Sequence, residues 1–241
     1  MTFHLMCLQP DAQALAAWAV RYKVLSPDGE YGYALHGLLS AAFGEQAPKL
    51  FRYMGDKQGL LAYTTVDLET LCHHATLAAP DVARALGLDT LDARLFPETW
   101  KQDQLLGFEV RMRPVIRTKD GRERDAFLYA AESSPTEESD SIVQRAMIYH
   151  DWLAKQLAAN GAAQIIQANM KEFRLTRVLR KSGTGENGKR KTFAVNGPDA
   201  VFKGQLRVGE SQAFSRLLAR GIGRHRAFGF GMLLLRPPSS C

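Results

Sequence analysis

The sequence predicts an α+β protein made of two domains in tandem, and three observations lead there. With 241 residues and 46% apolar side chains, the chain can bury one generous core or two smaller ones of roughly 100 residues each. Strand and helix signals alternate along its whole length, as a layered α+β sandwich requires. From Leu105 the pattern starts again with a new strand, which puts the division near residue 100 and the domains at 1–100 and 101–241.

The first half opens with a strand over residues 3–8. Pro10-Asp11 then starts an Ala- and Leu-rich helix that runs to about Tyr22. Ser26-Pro-Asp-Gly29 is a turn. The next helix covers residues 31–43, because Leu35, Leu38, Leu39 and Ala42 recur at helical spacing and Gly44 follows as a stop. Residues 51–54 and 60–65 read as strands around the turn from Gly55 to Gly59, followed by a helix at 67–75. Pro80-Asp81 opens another helical piece, and residues 88–96 read equally as strand or loop.

The second half opens with a strand over residues 106–116. Phe108, Val110 and Met112 fall on one face, and Glu109, Arg111 and Arg113 on the other. Residues 132–141, acidic and Ser-rich, form a loop, and 142–159 an amphipathic helix ending at Asn160-Gly161. A basic hairpin follows, with arms at 173–181 and 189–195 about a turn from Ser182 to Gly188. A strand at 201–208, a helix at 210–219 and a closing strand at 230–235 complete the chain. This is the split βαβ order of a ferredoxin-like or RNA-recognition-motif domain. The first half reads the same way, with extra helical material at 11–22 and 67–87.

Charge points to the partner. A net charge of +6, from 31 Lys and Arg against 25 Asp and Glu, suggests an anionic ligand, and the cations cluster in the second domain. Arg111 and Arg113 begin one cluster; Arg174, Arg177, Arg180, Lys181, Lys189, Arg190 and Lys191 belong to the hairpin; Arg220, Arg224 and Arg226 lie near the end. No acid balances the hairpin arm 173–181, so counterion release onto a nucleic acid would relieve its like charge. The stretch Gly221-Ile-Gly-Arg-His-Arg-Ala-Phe-Gly-Phe-Gly-Met-Leu-Leu-Leu-Arg-Pro237 adds a second signal. Gly221, Gly223, Gly229 and Gly231 let another backbone come close, and Arg224, His225 and Arg226 make that approach positive, as a phosphate backbone requires. Its segment from Arg226 to Leu233 partly matches the strand signature with which RNA-recognition motifs stack bases, leaving Phe228 and Phe230 either base-stacking or packed in the core.

Other chemistries are poorly served. Cys7, Cys72 and Cys241 are few and scattered, which disfavours a disulfide framework and suits a reducing cytoplasm. No targeting peptide or membrane span is expected, since no window approaches 18 uninterrupted apolar residues. His73 and His74 are adjacent, which on a helix points them about 100° apart and away from a shared metal. Neither a dinucleotide fingerprint, a P-loop nor a nucleophile elbow is present, so no cofactor or metal is expected.

The terminus Gly221-Ile-Gly-x-x-Arg-x-x-Gly-x-Gly-Met-Leu-x-Leu closely resembles the hallmark loop of the CRISPR RNA-processing endoribonucleases, the CasE type in particular. Tyr33-Ala-Leu-His36 resembles the Tyr-x-x-His pair that this family carries on an early helix, and Phe108-Glu-Val-Arg111-Met-Arg113-Pro resembles the strand that opens its second domain. The resemblance implies two ferredoxin-like domains and metal-independent cleavage of the repeat in a precursor transcript. In that reaction the ribose 2′-hydroxyl attacks the scissile phosphate, leaving a 2′,3′-cyclic phosphate and a 5′-hydroxyl. The implied partners are the CRISPR repeat stem-loop, the mature crRNA and the other proteins of an effector complex. His36 would act as acid or base and Tyr33 would orient the nucleophile or phosphate, with Arg224 and Arg226 stabilising charge. Tyr31 competes with Tyr33, and His225 with His36. Relatives from minimal type IV systems imply a second option, an arginine cluster of Arg21 with Arg224 or Arg226. A non-catalytic subunit that binds the repeat is the alternative to the enzyme.

Overall fold

The computed structural model describes residues 3–133, 141–181 and 192–238. The chain divides into two compact units. Unit one holds Met1–Glu98, Thr176–Asn196 and Ala227–Gly229; unit two holds Thr99–Leu175, Gly197–Arg226 and Phe230–Cys241.

Unit one begins with β1 (Phe3–Leu8), whose alternate residues His4, Met6 and Leu8 are buried as a strand packed on one face demands. Helix α1 (Ala12–Arg21) starts where the Asp11 carboxylate accepts from the Ala14 backbone N–H at 2.8 Å. Helix α2 (Gly32–Phe43) turns Leu35, Leu38, Leu39, Ala42 and Phe43 into the core. Strands β2 (Leu50–Tyr53) and β3 (Leu60–Thr64), helices α3 (Leu68–Thr76) and α4 (Pro80–Leu86), and strand β4 (Asp92–Phe96) complete it. The stretch 88–96 thus resolves into a short 3-10 turn followed by a strand, fixed by antiparallel pairing with β1 in the register Phe3↔Phe96 to Cys7↔Asp92. The sheet order is β2-β3-β1-β4.

Unit two contains β5 (Leu105–Met112), β6 (Val115–Arg117), β7 (Glu123–Asp125), α5 (Ala126–Ser133), α6 (Ser141–Ala158), β8 (Ala163–Lys181), β9 (Thr192–Val208), α7 (Ser211–Arg220) and β10 (Leu233–Arg236), with the outer ends of β8 and β9 assigned to unit one. Its sheet order is β10-β5-β9-β8. In both sheets the first strand of the βαββαβ series is central and lies between the third and the fourth. That is the ferredoxin-like arrangement, twice.

Three local expectations change. The strand expected over 106–116 ends at Met112; beyond Pro114, β6 leaves to pair with β7 in a separate two-stranded sheet. The strands expected separately at 189–195 and 201–208 join, and β9 runs straight through Asn196-Gly-Pro-Asp199. There the Arg113 guanidinium lies against Gly197, where a Cβ would come 2.3 Å from Nη2, and the Asp199 carboxylate binds two arginines, so tertiary contacts override local turn signals. The closing strand starts at Leu233 rather than 230, because Gly231 takes φ 78° and donates its N–H to the Arg111 carbonyl at 2.7 Å. No helix among the described residues is long and apolar enough to cross a membrane.

Candidate active site

In unit one, Tyr33 and His36 sit one turn apart on α2, on the flank of its buried leucine stripe, and both are half-buried. Against this face lies Phe228, its ring centroid 5.8 Å from that of Tyr33 and 5.6 Å from that of His36, the latter edge-to-face at 88°. Burial lowers the pKa of His36 from its ordinary value near 6.5, so the imidazole is neutral at pH 7 and able to accept a proton. Tyr31 takes a different place, as the N-cap of α2 packed edge-on against Tyr53 at 6.5 Å. Of the two competing tyrosines, Tyr33 is the one beside His36.

Phe228 is in a short 3-10 turn rather than on a strand, and Phe230 is fully buried beneath the Arg111 guanidinium, 4.3 Å from its ring centroid. The base-stacking role considered for Phe230 therefore gives way to core packing. His225, the competing histidine, is also structural. Its side chain is 2% exposed and its Nε2 meets Glu123 Oε2 at 2.6 Å.

Arg224 donates its Nε to the other Glu123 oxygen, also at 2.6 Å, and keeps 42% of its side chain exposed. Hydrogen bonds from His225 hold the Glu123 carboxyl down to about 2, with Arg224 adding to the effect. Arg226 donates to the Arg220 carbonyl at 2.6 Å, which caps the end of α7 where the helix dipole favours a cation. Gly221, Gly223, Gly229 and Gly231 all take positive φ. At Gly231 the close neighbour is the chain itself. A Cβ there would stand 2.1 Å from the Ile222 carbonyl oxygen, so the glycine lets the loop close on itself rather than leaving room for another molecule.

The remaining basic residues divide by burial. Arg111 and Arg113, expected on RNA, are 5% and 1% exposed: Arg111 binds Asp199 through Nε at 2.8 Å and Nη2 at 2.6 Å, and the fork is complete inside the protein. Desolvation raises the Asp199 pKa, but Arg111 and Arg174 outweigh it and the net shift is downward. On β8, Arg174 reaches the same carboxylate at 3.0 Å and Arg177 is held by Asp28, yet their side chains stay 61% and 49% exposed. Arg180 and Lys181 fall on β8 with side chains outside the described set, and Lys189, Arg190 and Lys191 lie outside the described residues. Arg21, at the end of α1, is 73% exposed, with its guanidinium 5.6 Å above the Tyr22 ring and only a 4.0 Å contact to Asp81. His73 and His74 sit on α3 with rings 6.1 Å apart, and no group of three His, Cys, Asp or Glu able to hold a metal occurs among the described residues. Sequence reasoning missed Glu123, Asp199 and Asp28, single acids whose importance lies in which arginine they meet. It also missed Gly32, next to Tyr33.

The sequence matches the CRISPR-associated protein family over residues 3–237. The chain belongs to that family. Solved structures share its fold along essentially the full length. The Cse3 protein of Thermus thermophilus, solved with an RNA representing a pre-cleavage complex, is 17% identical at a TM-score of 0.62, over 98% of this chain and 100% of that one. A CRISPR endoribonuclease Cse3 bound to a 19-nucleotide RNA gives 16% and 0.63 with the same coverage. Cas6e from Escherichia coli K-12 gives 15% and 0.54, over 99% and 100%. Among curated proteins none matches the sequence significantly. For this CRISPR-associated protein the likeness carries the fold.

Proposed function

We propose that this CRISPR-associated protein is a metal-independent endoribonuclease that cuts the repeat stem-loop of a CRISPR precursor transcript and keeps the mature crRNA within an effector complex. The observation that carries the reading is the α2 face, where a half-buried histidine held neutral stands one turn from a tyrosine. The fold shared with Cse3 proteins solved on RNA supports the substrate class.

In the proposed reaction the 2′-oxygen attacks the adjacent phosphorus while its proton passes to neutral His36. The P–O5′ bond breaks, and the 5′-oxygen takes a proton from water to leave as a hydroxyl opposite a 2′,3′-cyclic phosphate, His36 returning its own proton to solvent. Tyr33 orients the 2′-hydroxyl or the phosphate through its phenol. Arg224 and Arg226 are, by the family resemblance alone, the arginines to test for charge stabilisation, and the exposed Arg174 and Arg177 contact the RNA backbone. Lys189, Arg190 and Lys191 are proposed to add to the phosphate contact through their charge.

The test is incubation with a repeat stem-loop RNA in EDTA. A discrete fragment ending in a 2′,3′-cyclic phosphate is expected, and a substrate with 2′-deoxyribose at the scissile position should bind and stay whole. Tight binding with no cleavage of the all-ribose RNA would instead identify a repeat-binding subunit that does not cut.

A further inference from the structure

One residue closes the face of α2 that bears Tyr33 and His36, and it touches that face in three places. The Phe228 ring lies 5.8 Å from Tyr33 and meets His36 edge-to-face at 5.6 Å. Its carbonyl oxygen lies against the first residue of α2, where a Cβ on Gly32 would be 2.3 Å away. Only glycine lets the helix come so near. Residues 32, 33 and 36 form a single helical turn, so Phe228 grips one turn by backbone and ring together.

The grip is anchored from behind. A Cβ on Gly229 would come 3.4 Å from the Phe51 ring, and Phe51 is fully buried in the core of the same unit. A histidine that moves a proton must present one ring nitrogen in a fixed direction, and an imidazole on an exposed helix face has wide freedom about its outer torsion. An aromatic edge contact removes that freedom without adding a charge.

We propose that Phe228 is a positioning residue for His36, fixing its ring plane and covering it from water for proton transfer. The proposal rests on the reading that His36 moves the proton. Burial is the sole cause of the lowered His36 pKa, and Tyr33 is the titratable side chain that shares its face. Removing the ring therefore acts on hydration rather than on an ion pair.

The test uses the full-length protein with Phe228→Ala, Phe228→Leu and Phe228→Tyr. Single-turnover cleavage of the repeat stem-loop is read beside binding of the 2′-deoxy substrate and an NMR titration of His36. Phe228→Ala should slow cleavage about 100-fold, as loss of alignment does, with binding unchanged. The His36 pKa should rise toward its ordinary value, moving the acid limb of the rate profile to higher pH. Phe228→Tyr, which keeps the ring, should restore both. Phe228→Leu keeps the apolar anchor and loses the ring edge, so it serves where the alanine variant fails to fold, with slowing at unchanged binding again expected. An unaltered His36 titration together with wild-type cleavage in the alanine or leucine variant would overturn the proposal. Normal cutting by His36→Ala would instead sink the catalytic reading, whereas the titration would still report whether Phe228 covers the ring.

Discussion

The turn of α2 around His36 and the loop turn around His225 put the same side chain in opposite surroundings. His36 is half-buried against aromatic rings, and desolvation alone moves its pKa down. His225 is almost fully covered, adopts a left-handed φ of 60° and lies 2.6 Å from a carboxylate that also holds Arg224. A histidine hydrogen-bonded to a carboxylate is committed to holding a shape, and one desolvated beside aromatic rings stays neutral and free to take a proton. The same division runs through the arginines: Arg111 is spent on Asp199 inside the protein, whereas Arg174 and Arg177 keep exposed faces.

Exchanging the two histidines for alanine is the sharpest way to break this comparison. His36→Ala should slow cleavage by about 10²–10⁴-fold, the usual worth of a proton-transfer group, with melting unchanged. His225→Ala should lower the melting temperature while the enzyme that remains folded still cuts. If His225→Ala abolishes cutting in a fully stable protein, the two roles are reversed.

The buried arginine comes next. Asp199→Ala removes the buried carboxylate that Arg111 and Arg174 share and should cost about 3–5 kcal/mol in a denaturation experiment. A cost near zero would mean that Arg111 finds water and belongs with the open arginines.

A pH series sharpens the contrast further. The Glu123 pKa is depressed from 4.5 to about 2, so its contribution to stability is complete above pH 4.5 and is lost as pH falls toward 2. Glu123→Gln should flatten acid unfolding over that window, as followed by circular dichroism. Identical acid curves for the two proteins would show that the carboxylate is not what secures His225.

The smallest effect belongs to the exposed pair. Asp28→Ala removes the carboxylate that holds Arg177 and should shift the melting temperature less than His225→Ala or Asp199→Ala does, because the arginine end of the pair is solvent-exposed. RNA binding should tighten and become more salt-dependent, since a released cation can displace one more counterion. An unchanged salt slope would remove Arg177 from the RNA contact.

Local signals made much of this legible. The apolar stripe Leu35, Leu38, Leu39 and Ala42 marked α2 and left His36 on its flank; Asp11 and Asp67 marked helix starts through their side-chain caps. What failed was set by residues distant in sequence. Asn196-Gly-Pro-Asp199 carries turn chemistry, yet β9 passes through it because Arg111 and Arg174, 88 and 25 positions away, satisfy the carboxylate. Arg111 and Arg113 alternate as a solvent-facing strand edge should, but Asp199 and the Phe230 ring cover them. Periodicity locates a face; it does not say whether that face is later covered.

The placement of Ala227–Gly229 within unit one also bears on the order of synthesis. The helix bearing His36 emerges from the ribosome long before the phenylalanine that packs on it. A nascent chain stopped anywhere before Phe228 holds the imidazole without its aromatic cover. If His36 moves the proton as proposed, cleavage waits for the segment around Phe228 to be made and folded back onto α2, so a chain cut between the two should show the His36 titration of a bare helix face.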